Sequence, residues 1–233
     1  MGLVIPKTVH RIWFGPQPMR RELVEFGKTW ERAGYDVLLW TEDNLPPLAN
    51  QDIYDEIGRV GVNTGGGVPE LGVWVQRADL VSYELIHQFG GIYANTDMEC
   101  LRPLDSILDD VHAFAGMEDS EFLSNALMGC VRGNEFYGEL IEELPVRFRE
   151  MPGEPMNAVT GPHLLSRMQR LNPDGLTIFP KSYFNPVLFD GQDMNREWEE
   201  FPDSYCVHHW GHTRHRWTNE PDDAFLDARY GND

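Results

Sequence analysis

The segment that most constrains the fold is a long helical pattern that stops at two glycines and leads directly into a buried strand. Between Glu70 and Phe89, apolar residues recur at helical spacing and make one stripe. The stripe consists of Trp74, Ala78, Val81 and Leu85. Gly90-Gly91 is a typical C-terminal helix stop. The apolar Ile92–Ala94 then predicts a strand that begins without an intervening loop.

The N-terminal segments repeat this alternation of strand and helix. Residues 3–14 predict a buried strand, residues 20–33 an amphipathic helix and residues 35–40 a second strand. This β-α-β order indicates an α/β protein with a mostly parallel central sheet layered with helices. Residues 58–70 predict a loop. Further elements are predicted as a strand at 111–117, helices at 134–149 and 161–171, and a late strand at 205–210.

Length and composition fit one domain without a membrane span. The chain has 233 residues, of which 41% are hydrophobic, and no apolar run approaches the length of a bilayer span. We assign residues 1–218 to a single catalytic domain and residues 219–233 to an acidic C-terminal tail, expected to be loosely held. The absence of a signal peptide predicts a cytoplasmic protein or a fragment of a longer one.

The charge and the cysteines exclude some classes of function. A net charge of −19 argues against a nucleic-acid surface, which needs clustered Lys and Arg. A small anionic ligand stays compatible, because a bound divalent cation supplies positive charge locally. The three cysteines, Cys100, Cys130 and Cys206, are widely spaced and form no CxxC motif. We expect them to be core thiols in a reducing compartment.

The strand at Ile92–Ala94 ends in a run of polar and acidic residues. In extended backbone, Asn95, Asp97 and Glu99 would point to the same side. Ligands of open α/β sheets bind at such strand ends. Mg²⁺ and Mn²⁺ prefer oxygen ligands, often one or two carboxylates together with substrate phosphates. The run therefore predicts either a divalent-metal site or a polar strand exit.

Several segments together resemble the nucleotide-sugar glycosyltransferases with a DXD motif. The most similar groups are the yeast-type α-mannosyltransferases and the capsular-polysaccharide sugar transferases, with the clostridial glucosylating toxins more distant. The resembling segments are Ile5–Trp13, Arg77–Leu80 leading into Gly90–Tyr93, Ser124-Asn125, Thr160–Pro162 and Val207–Trp210. They span nearly the whole chain, and the central segment is the most specific.

The resemblance implies a GT-A fold and a retaining transfer of sugar from a nucleotide sugar. It implies that Asp97 and His208 bind Mn²⁺ or Mg²⁺, which stabilises the diphosphate leaving group. It assigns Asp97, Asn125 and Asp79 to catalysis, with Asn125 nearest to the reacting carbon. The nucleotide-sugar contacts that it implies are Ile12, Trp13, Asp79, Asn95, Thr96, Asp97 and Trp217. Trp13 is a candidate to stack on the base, or else a core residue at a strand end.

Two positions depart from the family pattern. Asn95 replaces the first carboxylate of the motif, although an amide still hydrogen-bonds to a ribose hydroxyl. Ser82 replaces an Arg that commonly contacts the donor. These departures leave open a second interpretation, in which the protein is a weak or inactive relic that binds nucleotide sugars or glycans.

Substrates and a rival metal site also stay open. UDP-sugars are the preferred donors and GDP-sugars also fit, while the acceptor is a glycan, a lipid or a protein. Alternatively, His208, His212 and His215 would make one metal-binding face if residues 208–215 were helical, as in a zinc hydrolase. His209 stands where such a site needs a Glu base, and Gly211 disfavours the helix.

Overall fold

A six-stranded sheet forms the centre of the protein. The computed structural model describes residues 2–60, 62–64, 69–187, 201–210 and 223–231. The strands are β1 (Thr8–Ile12), β2 (Asp36–Trp40), β3 (Gly91–Ala94), β4 (Met98–Cys100), β5 (Ala113–Met117), β6 (Leu123–Cys130), β7 (Thr177–Phe179) and β8 (Cys206–His208). The strand order in the six-stranded sheet is β2-β1-β3-β6-β5-β7. All neighbours pair in parallel except β6, which runs antiparallel to both β3 and β5. The predicted α/β class with a mostly parallel sheet is confirmed.

Helices cover both faces of this sheet. They are α1 (Arg21–Arg32), α2 (Gln51–Val60), α3 (Pro69–Phe89), α4 (Glu135–Glu150), α5 (Met156–Val159), α6 (Pro162–Leu171), α7 (Lys181–Phe184) and α8 (Asp223–Tyr230). One core cluster packs α2, α3, α4 and α6 against one face. The second cluster, around Trp30 of α1, lies on the other face with the β4–β8 pair. Burying both faces is the usual solution for parallel strands.

The long helix and the strand after it form as the sequence predicts. Helix α3 ends at Phe89, and β3 begins at Gly91. Both glycines have positive φ, +71° at Gly90 and +103° at Gly91, which explains why side chains are excluded there. A Cβ at Gly91 would lie 2.6 Å from the carbonyl oxygen of Thr8. The abrupt helix-to-strand transition therefore depends on glycine at this position.

Three local predictions are wrong. Helix α2 extends through Val60, so the predicted loop at 58–70 starts later, and residues 65–68 lie outside the described part. Strand β6 was not predicted, because its sequence, LSNALMGC, has no clear alternation. Residues 223–230, expected to belong to a loosely held tail, form α8, which contacts the body of the protein. The boundary at residue 218 itself stays a prediction.

None of the described helices combines the length and apolar character needed to span a bilayer.

Candidate functional site

The predicted site residues follow strands that end at one edge of the sheet. Strands β1 and β3 are adjacent and parallel, so Trp13 and Asn95, which follow them, lie at the same edge. Strand β6 pairs antiparallel with β3, with Leu127 opposite Ala94, which brings Asn125 to this edge too. The carboxyl ends of parallel strands are where open α/β sheets bind ligands.

The acidic run after β3 is a turn rather than an extended strand. The backbone N–H of Met98 donates to the carbonyl oxygen of Asn95 at 2.9 Å. The prediction that Asn95, Asp97 and Glu99 share one side is therefore wrong, and the three side chains have different partners. Asn95 Oδ1 accepts a 2.8 Å hydrogen bond from the hydroxyl of Tyr93.

A buried arginine holds this turn in place. Arg11, on β1, donates from Nη2 to the carbonyl oxygens of Thr96 and Leu23, the latter at 2.8 Å. Burial lowers the pKa of Arg11 to about 10, although the nearby Asp97 carboxylate opposes the shift. Gly27 makes room for the guanidinium, since a Cβ there would lie 2.2 Å from Arg11 Nη1. Arg11 thus holds the backbone of Thr96, a residue that is predicted to contact the nucleotide sugar.

Asp97 faces His208 across the β4–β8 pair. His208 Nε2 lies 3.1 Å from Asp97 Oδ1. Asp97 is 8% exposed and His208 5% exposed. The other ring nitrogen of His208, Nδ1, is buried and has no hydrogen-bond partner among the described residues. The structure therefore brings together the two residues that the resemblance implies as metal ligands.

The Asp97–His208 pair fits one divalent ion. Two neighbouring ligands of an octahedral ion with bonds of about 2.1 Å lie about 3 Å apart, close to the observed 3.1 Å. The carboxylate oxygen is a ligand that suits Mg²⁺ and Mn²⁺, whereas the imidazole nitrogen also suits transition metals such as zinc. Among the described residues, no group of three or more His, Cys, Asp or Glu side chains could hold a metal ion. A bound ion here would need further ligands from a substrate or water, as is usual for Mg²⁺-type sites.

Asp79 and Asn125 form a second group. Asn125 Nδ2 donates to Asp79 Oδ1 at 2.8 Å, and Thr160 Oγ1 donates to Asp79 Oδ2 at 3.0 Å. Burial raises the pKa of Asp79 to about 7, although both hydrogen bonds oppose the shift. Two of the roughly four acceptor positions of the carboxylate are occupied, which leaves the others for ligand hydroxyls.

A bulge in β6 explains how Asn125 reaches Asp79. The register between β5 and β6 shifts between Ala115 and Gly116, whose partners are Met128 and Ser124. The β6 residues between these partners, Asn125, Ala126 and Leu127, therefore have no opposite number on β5. Bulges commonly re-aim a side chain beside a functional site.

Tyr93 connects the two groups. Its pKa is raised by burial first, and then by the negative charges of Asp79 and Asp97. Both carboxylates are therefore close enough to act on the same hydroxyl. Tyr93 thus lies near both the Asp79 group and the Asp97 group.

The other residues predicted to contact the nucleotide sugar are Trp13, Ile12 and Trp217. Trp13 is partly exposed and donates from Nε1 to the carbonyl oxygen of Gln17 at 2.7 Å. The side chain of Ile12 is buried in the core, which leaves its backbone for any ligand contact. Trp217, His212 and His215 lie outside the described residues. The alternative prediction, a helical metal-binding face made by His208, His212 and His215, is wrong at His208, because this residue lies in a strand.

Two residues at this site were not predicted to act in it. Thr160, which belongs to the resembling segment Thr160–Pro162, is fully buried and donates a hydrogen bond to Asp79. Glu118 follows β5, and its backbone N–H donates to Phe122 in the β5–β6 hairpin. Burial raises the pKa of Glu118 to about 7, while the charge of His208 opposes the shift. Neither role could be read from the sequence, since the bond of Thr160 to Asp79 and the proximity of Glu118 to His208 both depend on tertiary packing.

His209, next to His208, faces away from the site. Its ring stacks on Phe26 with centroids 4.1 Å apart, and Nε2 lies 3.0 Å from Glu99 Oε2. Glu99 also accepts hydrogen bonds from Arg229 and Tyr230 of α8 at 2.8 and 2.7 Å. Burial acts to raise the pKa of Glu99, but these partners outweigh it and lower the pKa. Glu99 therefore attaches α8 to the β4–β8 pair.

A family model and two yeast proteins match parts of this sequence. A family model described as "Glycosyltransferase sugar-binding region containing DXD motif" matches residues 31–113, which include Asp79, Asn95 and Asp97. Inositol phosphoceramide mannosyltransferase 3 of Schizosaccharomyces pombe is 26% identical over 153 residues, covering 60% of this chain and 37% of that protein. Mannosyl phosphorylinositol ceramide synthase CSH1 of Saccharomyces cerevisiae is 36% identical over 70 residues, covering 30% and 18%. The chain thus spans well under half the length of these relatives.

Solved structures share the fold. PaToxG glycosyltransferase superimposes with a TM-score of 0.57 at 10% identity, covering 97% of this chain and 84% of that one. The UDP-bound glycosyltransferase domain of the YGT toxin gives a TM-score of 0.53 at 9% identity, covering 76% and 80%. The predicted resemblance to DXD-motif glycosyltransferases and the GT-A fold are confirmed.

Proposed function

We propose that the protein is a metal-dependent, retaining glycosyltransferase that transfers a sugar from a nucleotide-sugar donor. The observation that carries the proposal is the meeting of Asp97 with His208 beside the Asp79–Asn125 group at the carboxyl edge of the sheet. The family match over the segment that contains Asp79 and Asp97 supports it. The yeast relatives are named as mannosyl-transferring enzymes.

Each group has a separate role in the proposed reaction. Asp97 and His208 would hold Mn²⁺ or Mg²⁺, which would stabilise the negative charge that develops on the diphosphate leaving group. Asp79, oriented by Asn125 and Thr160, would accept hydrogen bonds from hydroxyls of the donor sugar. The amide of Asn125 would lie nearest to the reacting carbon. Trp13 would stack on the nucleotide base.

UDP-sugars remain our preferred donors, and GDP-mannose is the natural second choice because the relatives are named as mannosyl-transferring. The acceptor is a glycan, a lipid or a protein. Among these, the names of the yeast relatives favour an inositol phosphate headgroup on a lipid as the first acceptor to test.

The decisive experiment measures hydrolysis and transfer with a panel of UDP-sugars and GDP-mannose, with and without Mn²⁺. We expect Mn²⁺-dependent release of the nucleoside diphosphate, and we expect Asp97→Ala to abolish both turnover and Mn²⁺-dependent nucleotide binding. Asp174→Ala removes an exposed carboxylate from the turn before β7 and serves as the charge-matched control. Full activity of a folded Asp97→Ala variant would contradict the metal site.

A second candidate, a non-catalytic nucleotide-sugar or glycan-binding relic, is favoured by Ser82. This residue is fully buried, and its hydroxyl donates to the carbonyl oxygen of Asp79 at 2.7 Å within its own helix. It therefore cannot replace the charged donor contact of the family Arg. A relic would show a Mn²⁺-dependent rise in thermal stability with a nucleotide sugar but no product. In an active enzyme, Asn95→Asp preserves or raises turnover.

A further inference from the structure

Two of the three cysteines lie opposite each other in neighbouring strands. Cys100 is the last residue of β4 and Cys206 the first of β8, and the two are direct partners in the antiparallel register. Both side chains are buried, Cys100 at 7% exposure and Cys206 at 0%. Both cysteines belong to the same core cluster.

The hydrogen-bond pattern of the strand pair places the two cysteines at a position where opposite Cα atoms lie close together. The N–H of His209 donates to Asp97 at 3.0 Å, and the N–H of Leu101 donates to Tyr205 at 2.8 Å. Hydrogen-bonded and non-hydrogen-bonded pairs alternate along antiparallel strands, so Cys100 and Cys206 are a non-hydrogen-bonded pair. Such pairs have Cα atoms about 4.5 Å apart. Disulfides span Cα separations of about 4.4–6.8 Å, so a bond fits without a large backbone shift.

We propose that Cys100 and Cys206 are a redox modification site that forms a disulfide between β4 and β8. The oxidant is a small disulfide such as glutathione disulfide. One cysteine thiolate attacks it, forms a mixed disulfide and releases one glutathione thiolate. The second cysteine then attacks the mixed disulfide and releases the other glutathione. The two protein thiols lose two electrons and two protons, and one glutathione disulfide becomes two glutathione thiols.

The third cysteine is the internal control. Cys130 lies on β6, and its thiol donates to the carbonyl oxygen of Ile86 at 3.2 Å. It belongs to the core cluster on the α3 face, whereas Cys100 and Cys206 belong to the cluster on the other face. The sheet therefore separates Cys130 from both partners.

Burial limits when the bond forms. Cys206 is 0% exposed and Cys100 7% exposed, so a small disulfide has little access to either sulfur in the folded state. We therefore expect slow oxidation of the native protein and faster oxidation while β4 and β8 pair during folding.

The bond would also act on the neighbouring ligand pair. Asp97 immediately precedes β4 and His208 is the last residue of β8, so they are three and two residues from the cysteines. A covalent link there would hold the two strands in the register that brings Asp97 to His208. This consequence, unlike the disulfide itself, rests on the proposed function.

The test refolds the whole chain in a glutathione redox buffer and counts free thiols after denaturation. Cross-linked peptides are then identified by mass spectrometry. We expect the wild type to retain one thiol and to yield a peptide pair linking Cys100 to Cys206. Cys130→Ser should give the same link with no free thiol. Cys100→Ser should show no intramolecular link, and Cys206→Ser repeats this test from the other strand.

A stability measurement gives a second readout on the wild type and Cys130→Ser alone, so it does not depend on folding of the other variants. Closing so long a loop should raise the thermal midpoint of the oxidised chain by about 5 °C or more relative to the reduced chain. Three free thiols after refolding, or a link through Cys130, would overturn the proposal.

Titration with Mn²⁺ alone separates the two proposals. Tighter Mn²⁺ binding by the oxidised chain supports both. If the disulfide forms and no Mn²⁺ binds in either redox state, the redox site stands and the proposed metal site fails.

Discussion

Nδ2 of Asn125 donates a 2.8 Å hydrogen bond to Oδ1 of Asp79, joining the bulge of β6 to the middle of α3 across 46 positions of sequence. With the bond from Thr160 to the other oxygen, it fixes the plane of a carboxylate whose pKa burial has raised to about 7. The orientation and the charge of Asp79 therefore both depend on neutral donors contributed by other elements.

We predict that Thr160→Val shifts the pH dependence of donor hydrolysis upward by about one pH unit. The hydroxyl of Thr160 stabilises the charged form of Asp79, so its removal raises the pKa of that carboxyl further. If the carboxylate is the active form, turnover then needs a higher pH. The measurement is kcat/KM against pH. Thr160→Ser keeps the hydroxyl and should keep the wild-type profile, and an unshifted profile in Thr160→Val would contradict the role.

We predict that Glu118→Gln makes the protein more stable than the wild type at pH 8, by about 1 kcal/mol. The pKa of Glu118 is about 7 in the folded protein, above its ordinary value of 4.5. A raised pKa contributes stability that is present below pH 4.5 and is lost as the pH rises through 7. The neutral Gln avoids that loss.

The measurement for Glu118 is urea unfolding at pH 5 and pH 8. The advantage of Glu118→Gln should shrink toward pH 5, where the wild-type carboxyl is largely protonated in the folded state. Glu121→Gln, an exposed change in the same hairpin, should differ little from the wild type at either pH. An equal effect at both pH values would argue against a titrating Glu118.

We predict that Gly91→Ala costs about 3 kcal/mol of unfolding free energy or more, whereas Gly34→Ala costs about 1 kcal/mol. Both glycines have positive φ, +103° and +88°. A Cβ at Gly91 would also lie 2.6 Å from the Thr8 carbonyl oxygen, while one at Gly34 meets nothing within 4 Å. Chemical unfolding of both variants separates crowding from backbone strain, and equal costs would show that crowding is unimportant.

We predict that Tyr230→Phe lowers the unfolding free energy by about 1–2 kcal/mol, because its hydroxyl donates a 2.7 Å bond to the buried Glu99 carboxylate. Tyr205→Phe removes a hydroxyl whose 3.2 Å contact with Ser106 is exposed, so its cost should be small. Thermal unfolding of both variants gives the comparison. Limited proteolysis near the C-terminus should also accelerate only in Tyr230→Phe, and unchanged proteolysis would mean that α8 is held by other contacts.

The sequence predicts the elements whose pattern is local. Each of these patterns is contained in a short stretch of sequence. Examples are the apolar stripe of α3, the glycines that end it and the β-branched residues of β1. The long strand β6 carries none, because it is buried on both faces and its register is interrupted by the bulge. Since β6 is also the antiparallel strand, the order of the sheet could not be derived from β-α-β units alone.

Site residues that directly follow a strand could be predicted from the sequence. Asp97 and Asn95 follow β3 directly, and the family resemblance supplied Asp79, Asn125 and His208. Thr160 and Glu118 depend on how α5, β5 and β6 pack, which no local pattern records. The prediction that the side chains of Glu99 and Asp97 point to the same side is wrong because the backbone turns after Asn95, where Arg11 holds it.

The adjacent imidazoles of His208, the last residue of β8, and His209 limit how this strand can vary. His208 meets Asp97 and His209 meets Glu99, on opposite sides of the ribbon. Inserting a single residue between Phe201 and Cys206, if it slid the strand by one place, would put Val207 where His208 lies. Deleting one would instead put His209 where His208 lies and Trp210 where His209 lies. The imidazole now stacked on Phe26 would enter the ligand cleft, and the anchor of the last helix would be lost in the same event. Insertions and deletions between Phe201 and Cys206 should therefore be tolerated far less well than substitutions in the same segment.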